Sequence, residues 1–129
     1  MNQLKNTIRQ YSGTLSCAWA LVIWVLCATP GEYIPTAFWM ELLSVDKLVH
    51  AGMFFMLLSF AALFAHKTEN ETVLLITFFI LALAYGVLLE WMQAHVFSHR
   101  SADVLDIVAN SVGCVLALVW RKKVLRWIG

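Results

Sequence analysis

Three short polar motifs interrupt an otherwise apolar chain: Asp46-Lys47-x-x-His50, Glu90-x-x-Gln93 and Arg100-x-x-Asp103-x-x-Asp106-x-x-x-Asn110. Their residue types define the chemistry on offer. Carboxylates beside an imidazole are the parts of general acid–base catalysis, which makes Asp46, His50, Glu90, Asp103 and Asp106 the candidate catalytic groups. Oxygen ligands with one imidazole also suit a divalent cation such as Mg²⁺, Mn²⁺ or Ca²⁺, although nothing in the spacing specifies a metal site. Arg100 carries the planar fork that matches phosphate or carboxylate, and Lys47 a compact second charge. With the amides of Gln93 and Asn110, these are the candidate ligand-binding residues. Asp46, Glu90, Asp103 and Asp106 outnumber the cations Lys47 and Arg100, and a protonated His50 offsets only part of the deficit. Buried charge of this kind must pair, take up protons or hold a cation.

The spacings predict which elements position these groups. Asp46 and His50 are i, i+4 on one helix face. Asp103, Asp106, Asn110 and Gly113 are i, i+3, i+7 and i+10 on another. Gly86, Glu90 and Gln93 form a third stripe, with Gly86 expected to let a neighbouring backbone approach closely. Ser44 is the expected N-cap before Asp46, whose charge suits the first turn of a helix.

Those helices are expected to be membrane helices. The chain has 129 residues, of which 61% are hydrophobic and 13% charged, and its mean hydropathy is +0.76. Soluble domains run at about 45–50% apolar and about 25% charged. A net charge of +1 gives no footprint for nucleic acid. Four apolar segments, near 12–29, 48–65, 72–97 and 104–120, match the roughly 17–25 residues of a bilayer crossing. The expectation is therefore a single all-α domain over 1–129, an integral membrane bundle of four transmembrane helices. The first segment follows Lys5 and Arg9 as a signal peptide would. With no A-x-A cleavage pattern after it, it reads as a retained helix. The three cysteines lie in apolar segments and read as small packing residues.

Orientation follows from the basic residues. Lys5, Arg9, Lys67, Arg121, Lys122, Lys123 and Arg126 fall on one side, and only Lys47 and Arg100 on the other. The positive-inside bias puts both termini in the cytoplasm. The basic, Trp-bearing tail after Trp120 reads as a topology signal that can also anchor on anionic lipid. The start of the second helix, the end of the third and the start of the fourth then share the outer face. There the three motifs form one polar cup reaching into the apolar layer. Ionisable groups in that layer are costly and mark functional sites by default.

The motifs, in order and spacing, resemble those of the VanZ-like membrane protein family over about Asp46 to Trp120. The family takes its name from a protein linked to resistance to the glycopeptide teicoplanin. The resemblance implies a bacterial cytoplasmic-membrane protein acting near the outer leaflet, without a defined reaction. His95 and His99 have no counterpart in the family pattern.

Plainer roles compete with each assignment. Asp103 or Ser101 can act as an N-cap, and Lys47 and Arg100 can simply neutralise carboxylates across helices. The depth of Glu90, Asp106 and Asn110 argues against capping alone. His95 and His99, at i, i+4, read as interfacial loop residues rather than a metal pair, and His66 as a boundary residue. Tyr33, Pro35 and Trp39 suggest a short loop segment lying on the membrane. Three functions fit the whole. One is a site that binds or processes a lipid-linked or phosphate-bearing envelope molecule. Another is a non-enzymatic scaffold or partner subunit. The third is a small transporter, disfavoured because the polar groups occupy only the outer half of the bundle.

Overall fold

A computed structural model describes residues 1–34, 37–38 and 44–129, and all its regular structure is helical. Helix α1 (Asn2–Gln10) is polar and nearly all exposed. The apolar α2 (Ser12–Ala28) follows at an 80° bend. The sequence alone had not separated α1 from the chain leading into the first span. Its composition explains the bend: Lys5, Asn6, Arg9 and Gln10 cannot follow α2 into an apolar layer. The Lys67 Nζ donates to the Arg9 and Gln10 carbonyls at 2.6 and 3.2 Å, satisfying groups that the end of α1 leaves open.

Helix α2 ends before Pro30, where Thr29 adopts the extended backbone that a following proline favours. A 3-10 turn follows at Gly31–Tyr33, with Tyr33 exposed. Pro35 and Trp39 lie outside the described residues. Helix α3 spans Val45–Ala65, α4 Glu71–His95 and α5 Val104–Ile128. These three are long and apolar enough to cross a membrane, and up to four spans result if the bent α1–α2 pair counts as one. The last helix runs to Ile128 rather than stopping near Trp120. The tail Arg121-Lys-Lys-Val-Leu-Arg holds no helix breaker before Gly129.

Helix α3 is central. Of its spanning window 56% is buried, against 22% in α4 and 28% in α5. Phe54, Leu57, Leu58 and Ala61 of α3 meet Ile23 and Cys27 of α2, Ala82 and Leu89 of α4, and Cys114 and Ala117 of α5. Outward, α4 and α5 present Ile76, Ile80, Leu81, Leu88, Val108, Val112, Val115 and Val119. Helices apolar on every face belong in a core or a bilayer. Side chains also tie helices together through main-chain carbonyls. The Trp19 indole donates to Met53 at 2.9 Å and the Tyr85 hydroxyl to Ala20 at 2.6 Å.

The closest packing joins α3 to α5. A Cβ on Gly113 would strike the Ala51 carbonyl. Ala109, Gly113 and Ala117 are all buried at i, i+4 and i+8, a small-residue stripe that lets two helices approach closely. Because the starts of both helices meet, α3 and α5 run side by side in the same direction. This sets the register that joins the first polar motif to the third.

Candidate functional site

The sequence motifs converge where α2 and α4 end and α3 and α5 begin. The reach of each residue follows from its place on its helix. Helix α5 starts at Val104, where the fourth apolar segment was expected to begin, so Arg100, Ser101 and Ala102 lie in the preceding loop. Asp103 is the N-cap: its Oδ1 accepts the Leu105 N–H at 2.8 Å. The capping role and the site role therefore coexist in one residue. Ser44 does occupy the N-cap position of α3, but it has φ 49° and its hydroxyl makes no capping bond. Left-handed backbone turns the side chain away from the first-turn N–H groups.

Lys47 is the hub of the outer layer. Its Nζ donates to Asp46 Oδ2 at 2.7 Å, Asp103 Oδ2 at 2.5 Å and Asp106 Oδ1 at 2.5 Å. Instead of a free ligand-binding cation, Lys47 is the counter-ion of three carboxylates. The Lys47 ammonium, with the Leu105 N–H beside it, holds the Asp103 carboxyl below its ordinary range.

The deeper layer is buried. His50 sits between Asn110 and Asp106, with Nδ1 at 3.0 Å from Asn110 Oδ1 and Nε2 at 3.5 Å from Asp106 Oδ2. Asn110 thus sets the ring orientation, and its Oδ1 places the proton on Nδ1. Glu90 reaches from α4, where its Oε2 accepts the Asp103 N–H at 2.8 Å. Its Oε1 and the Asn110 Nδ2 are buried without hydrogen-bond partners. Buried polar atoms left unpaired cost about 1–3 kcal/mol each, so they mark a place where something else belongs or where strain is stored. One ligand atom each from His50, Glu90 and Asp106 lies within 4.8 Å of the other two, a spacing from which a metal ion could be held.

Gly86 is where this layer is accommodated, although differently from the expectation. Its missing side chain makes room for the Asn110 amide and the Phe54 ring, rather than for a neighbouring backbone. Gln93 faces α2 instead of the cluster: its Nε2 donates to the Cys27 carbonyl at 3.3 Å. It anchors the open end of α2, whose last carbonyls lack helical partners. Arg100 lies beside Gly31 at the rim. No ion pair joins it to a carboxylate among the described residues.

His95 and His99 do not join the cluster. His95 bonds the Trp91 carbonyl of its own helix at 2.9 Å and stacks on that indole, while His99 is exposed. The sequence reading missed the use of Glu71 at the opposite end of the bundle, where it bridges His66 and Arg121. The acidic residue at the start of α4 was the available signal.

Seven of the nine predicted residues therefore share one bonded network: Asp46, Lys47, His50, Glu90, Asp103, Asp106 and Asn110. Gln93 and Arg100 flank it. Chemically, the network offers a buried histidine oriented by Asn110 and two buried carboxylates, with the Arg100 guanidinium at the edge. Comparison with family models, curated proteins and solved structures finds no match.

Proposed function

We propose that this chain is a VanZ-like membrane protein of the bacterial cytoplasmic membrane, with four spans and both termini in the cytoplasm. The polar cluster then faces the extracytoplasmic side and binds or processes the head group of a lipid-linked, phosphate-bearing envelope molecule. The resemblance extends this to a role in glycopeptide resistance of the teicoplanin type.

The single observation that carries the reading is the buried network on α3, α4 and α5, with polar atoms left unpaired inside it and, at its rim, an Arg100 that meets no carboxylate among the described residues. A network that served packing alone would satisfy its own atoms. Its place at the end of apolar helices suits an amphiphile whose tail stays in lipid while its head enters the cup. The basic residues support the orientation, since the opposite end carries Lys5, Arg9, Lys67 and the Arg121–Arg126 cluster. A transporter gains no support, because the other halves of α3, α4 and α5 carry no charged side chain within the apolar layer.

The test is saturable binding of phosphate-bearing lipids to the protein in nanodiscs. Arg100→Gln should weaken binding at least about tenfold, as expected for loss of a charge-assisted bond to phosphate, with an unchanged melting temperature. Asp106→Ala and His50→Ala should abolish function in correctly inserted protein. Full function in both variants overturns the reading. Stability lost across the alanine variants, with binding indifferent to Arg100→Gln, favours the scaffold instead.

A further inference from the structure

The deeper layer holds more than an acidic cluster. His50, Glu90 and Asp106 come from three helices, and all are buried. Two separate observations indicate a cation among them. Glu90 is only 3% exposed, yet its Oε1 has no donor, because the Asp103 N–H is taken by Oε2. Independently, Asn110 Oδ1 accepts from His50 Nδ1 at 3.0 Å, which leaves Nε2 as the ring atom turned into the cluster, 3.5 Å from Asp106 Oδ2. The separation is close to that of adjacent ligands around a metal with bonds of about 2.0–2.2 Å in tetrahedral geometry. Lys47 occupies the other oxygen of Asp106, Oδ1, and leaves Oδ2 free.

The geometry points to a binding site for one divalent transition-metal ion of the Mn²⁺/Zn²⁺ class, ligated by His50 Nε2, Asp106 Oδ2 and Glu90. The nitrogen ligand sets aside Mg²⁺ and Ca²⁺, which prefer oxygen throughout, and the two carboxylates set aside soft-ligand metals. Asn110 is a positioning residue that fixes the tautomer and aims the ring. A divalent ion also balances the net charge: with Lys47 and Arg100 it offsets the four carboxylates Asp46, Glu90, Asp103 and Asp106. Three protein ligands leave a coordination position for a phosphate oxygen. That last step rests on the proposed function; metal binding itself does not.

The experiment therefore uses the metal alone. Full-length protein in detergent is stripped with chelator and titrated with Mn²⁺, and free ion is followed by its electron paramagnetic resonance signal, with Zn²⁺ as competitor. One ion per chain should bind, with a rise in melting temperature. Glu90→Gln, which keeps the side-chain shape, and His50→Ala should each weaken binding at least about tenfold, and Asn110→Ala by about ten- to a hundredfold. Glu71→Gln, at the other end of the bundle, should leave binding unchanged. The inference is overturned if the unaltered protein binds no stoichiometric Mn²⁺ or Zn²⁺, a result that does not depend on any variant folding. Binding unaffected by both Glu90→Gln and His50→Ala overturns it equally. Because no phosphate-bearing ligand is present, failure here is separate from failure of lipid binding in nanodiscs.

Discussion

The two ends of the bundle use the same residue types and arrive at different outcomes. At one end, His50, Asp106 and Lys47 join; at the other, His66, Glu71 and Arg121 do. The His50 side chain is 9% exposed and that of His66 48%. His66 Nδ1 lies 3.2 Å from Glu71 Oε2 and Arg121 Nη1 lies 3.4 Å from Glu71 Oε1, a pairing whose histidine is open to solvent although Glu71 Oε1 itself is buried without a hydrogen bond. Around it, Lys5 lies over Trp127 and Lys123 over Trp120. These are the contacts of a solvated helix boundary. The site end instead pulls a histidine and two carboxylates below the surface, His50, Glu90 and Asp106. Depth, rather than composition, separates a boundary from a site.

This contrast can be broken by mutation. The largest effect is expected from Lys47→Met, which strips the counter-ion from three carboxylates at once. For the buried partner, Asp106, loss of the counter-ion costs about 3–5 kcal/mol, and the partial exposure of Lys47 lowers the expectation toward the bottom of that range. A thermal melt in detergent that barely moves would place this network on a par with the exposed end. Next is Gly113→Val, where a Cβ meets the Ala51 carbonyl and α3 must part from α5. Overpacking of this kind costs about 1–3 kcal/mol. Metal binding and stability should fall together, since the same helix pair aligns His50 with Asn110; stability alone falling would uncouple the site from its register.

The acid response is a smaller effect and discriminates between the ends. Lys47 holds the Asp103 carboxyl below its ordinary value of 3.8. A lowered value in the folded state means the carboxylate contributes stability above the ordinary range and loses it as pH falls through the lowered value. Melting temperature should therefore drop on acidification below about pH 4, and drop less in Lys47→Met, where chiefly the Leu105 N–H still holds the carboxyl down. Equal slopes would remove Lys47 as the cause. The smallest effect is Arg121→Gln at the solvated end, expected at under about 1 kcal/mol and vanishing in high salt. A change as large as that of Lys47→Met would erase the distinction between the two ends.

Much of this was legible in the residues. Asp46 and His50 at i, i+4, and Asp106, Asn110 and Gly113 on one face, follow from the helical period alone, and long apolar segments require helices to satisfy their backbones in lipid. Less legible were the ends. Asp103 caps a helix that starts one residue later, and the basic tail extends α5 to Ile128, because polar flanks carry no period that marks a boundary. Neither Gln93 reaching the Cys27 carbonyl nor Lys67 closing α1 had any sequence signal, since their partners are backbone atoms distant in the chain.

The sequence by itself determined the apolar helices, the polar residues on each and the end of the bundle where those residues gather. Only the tertiary structure decided who meets whom. The small residues of α5 let it close on α3 at one register, so Lys47 is spent on Asp46, Asp103 and Asp106, Arg100 is left at the rim, and Asn110 aims His50. The physical reason is range. Helical periodicity is local and can be read along the chain, whereas the choice of ion-pair partner depends on ångström-scale distances between helices far apart in sequence, which packing alone sets.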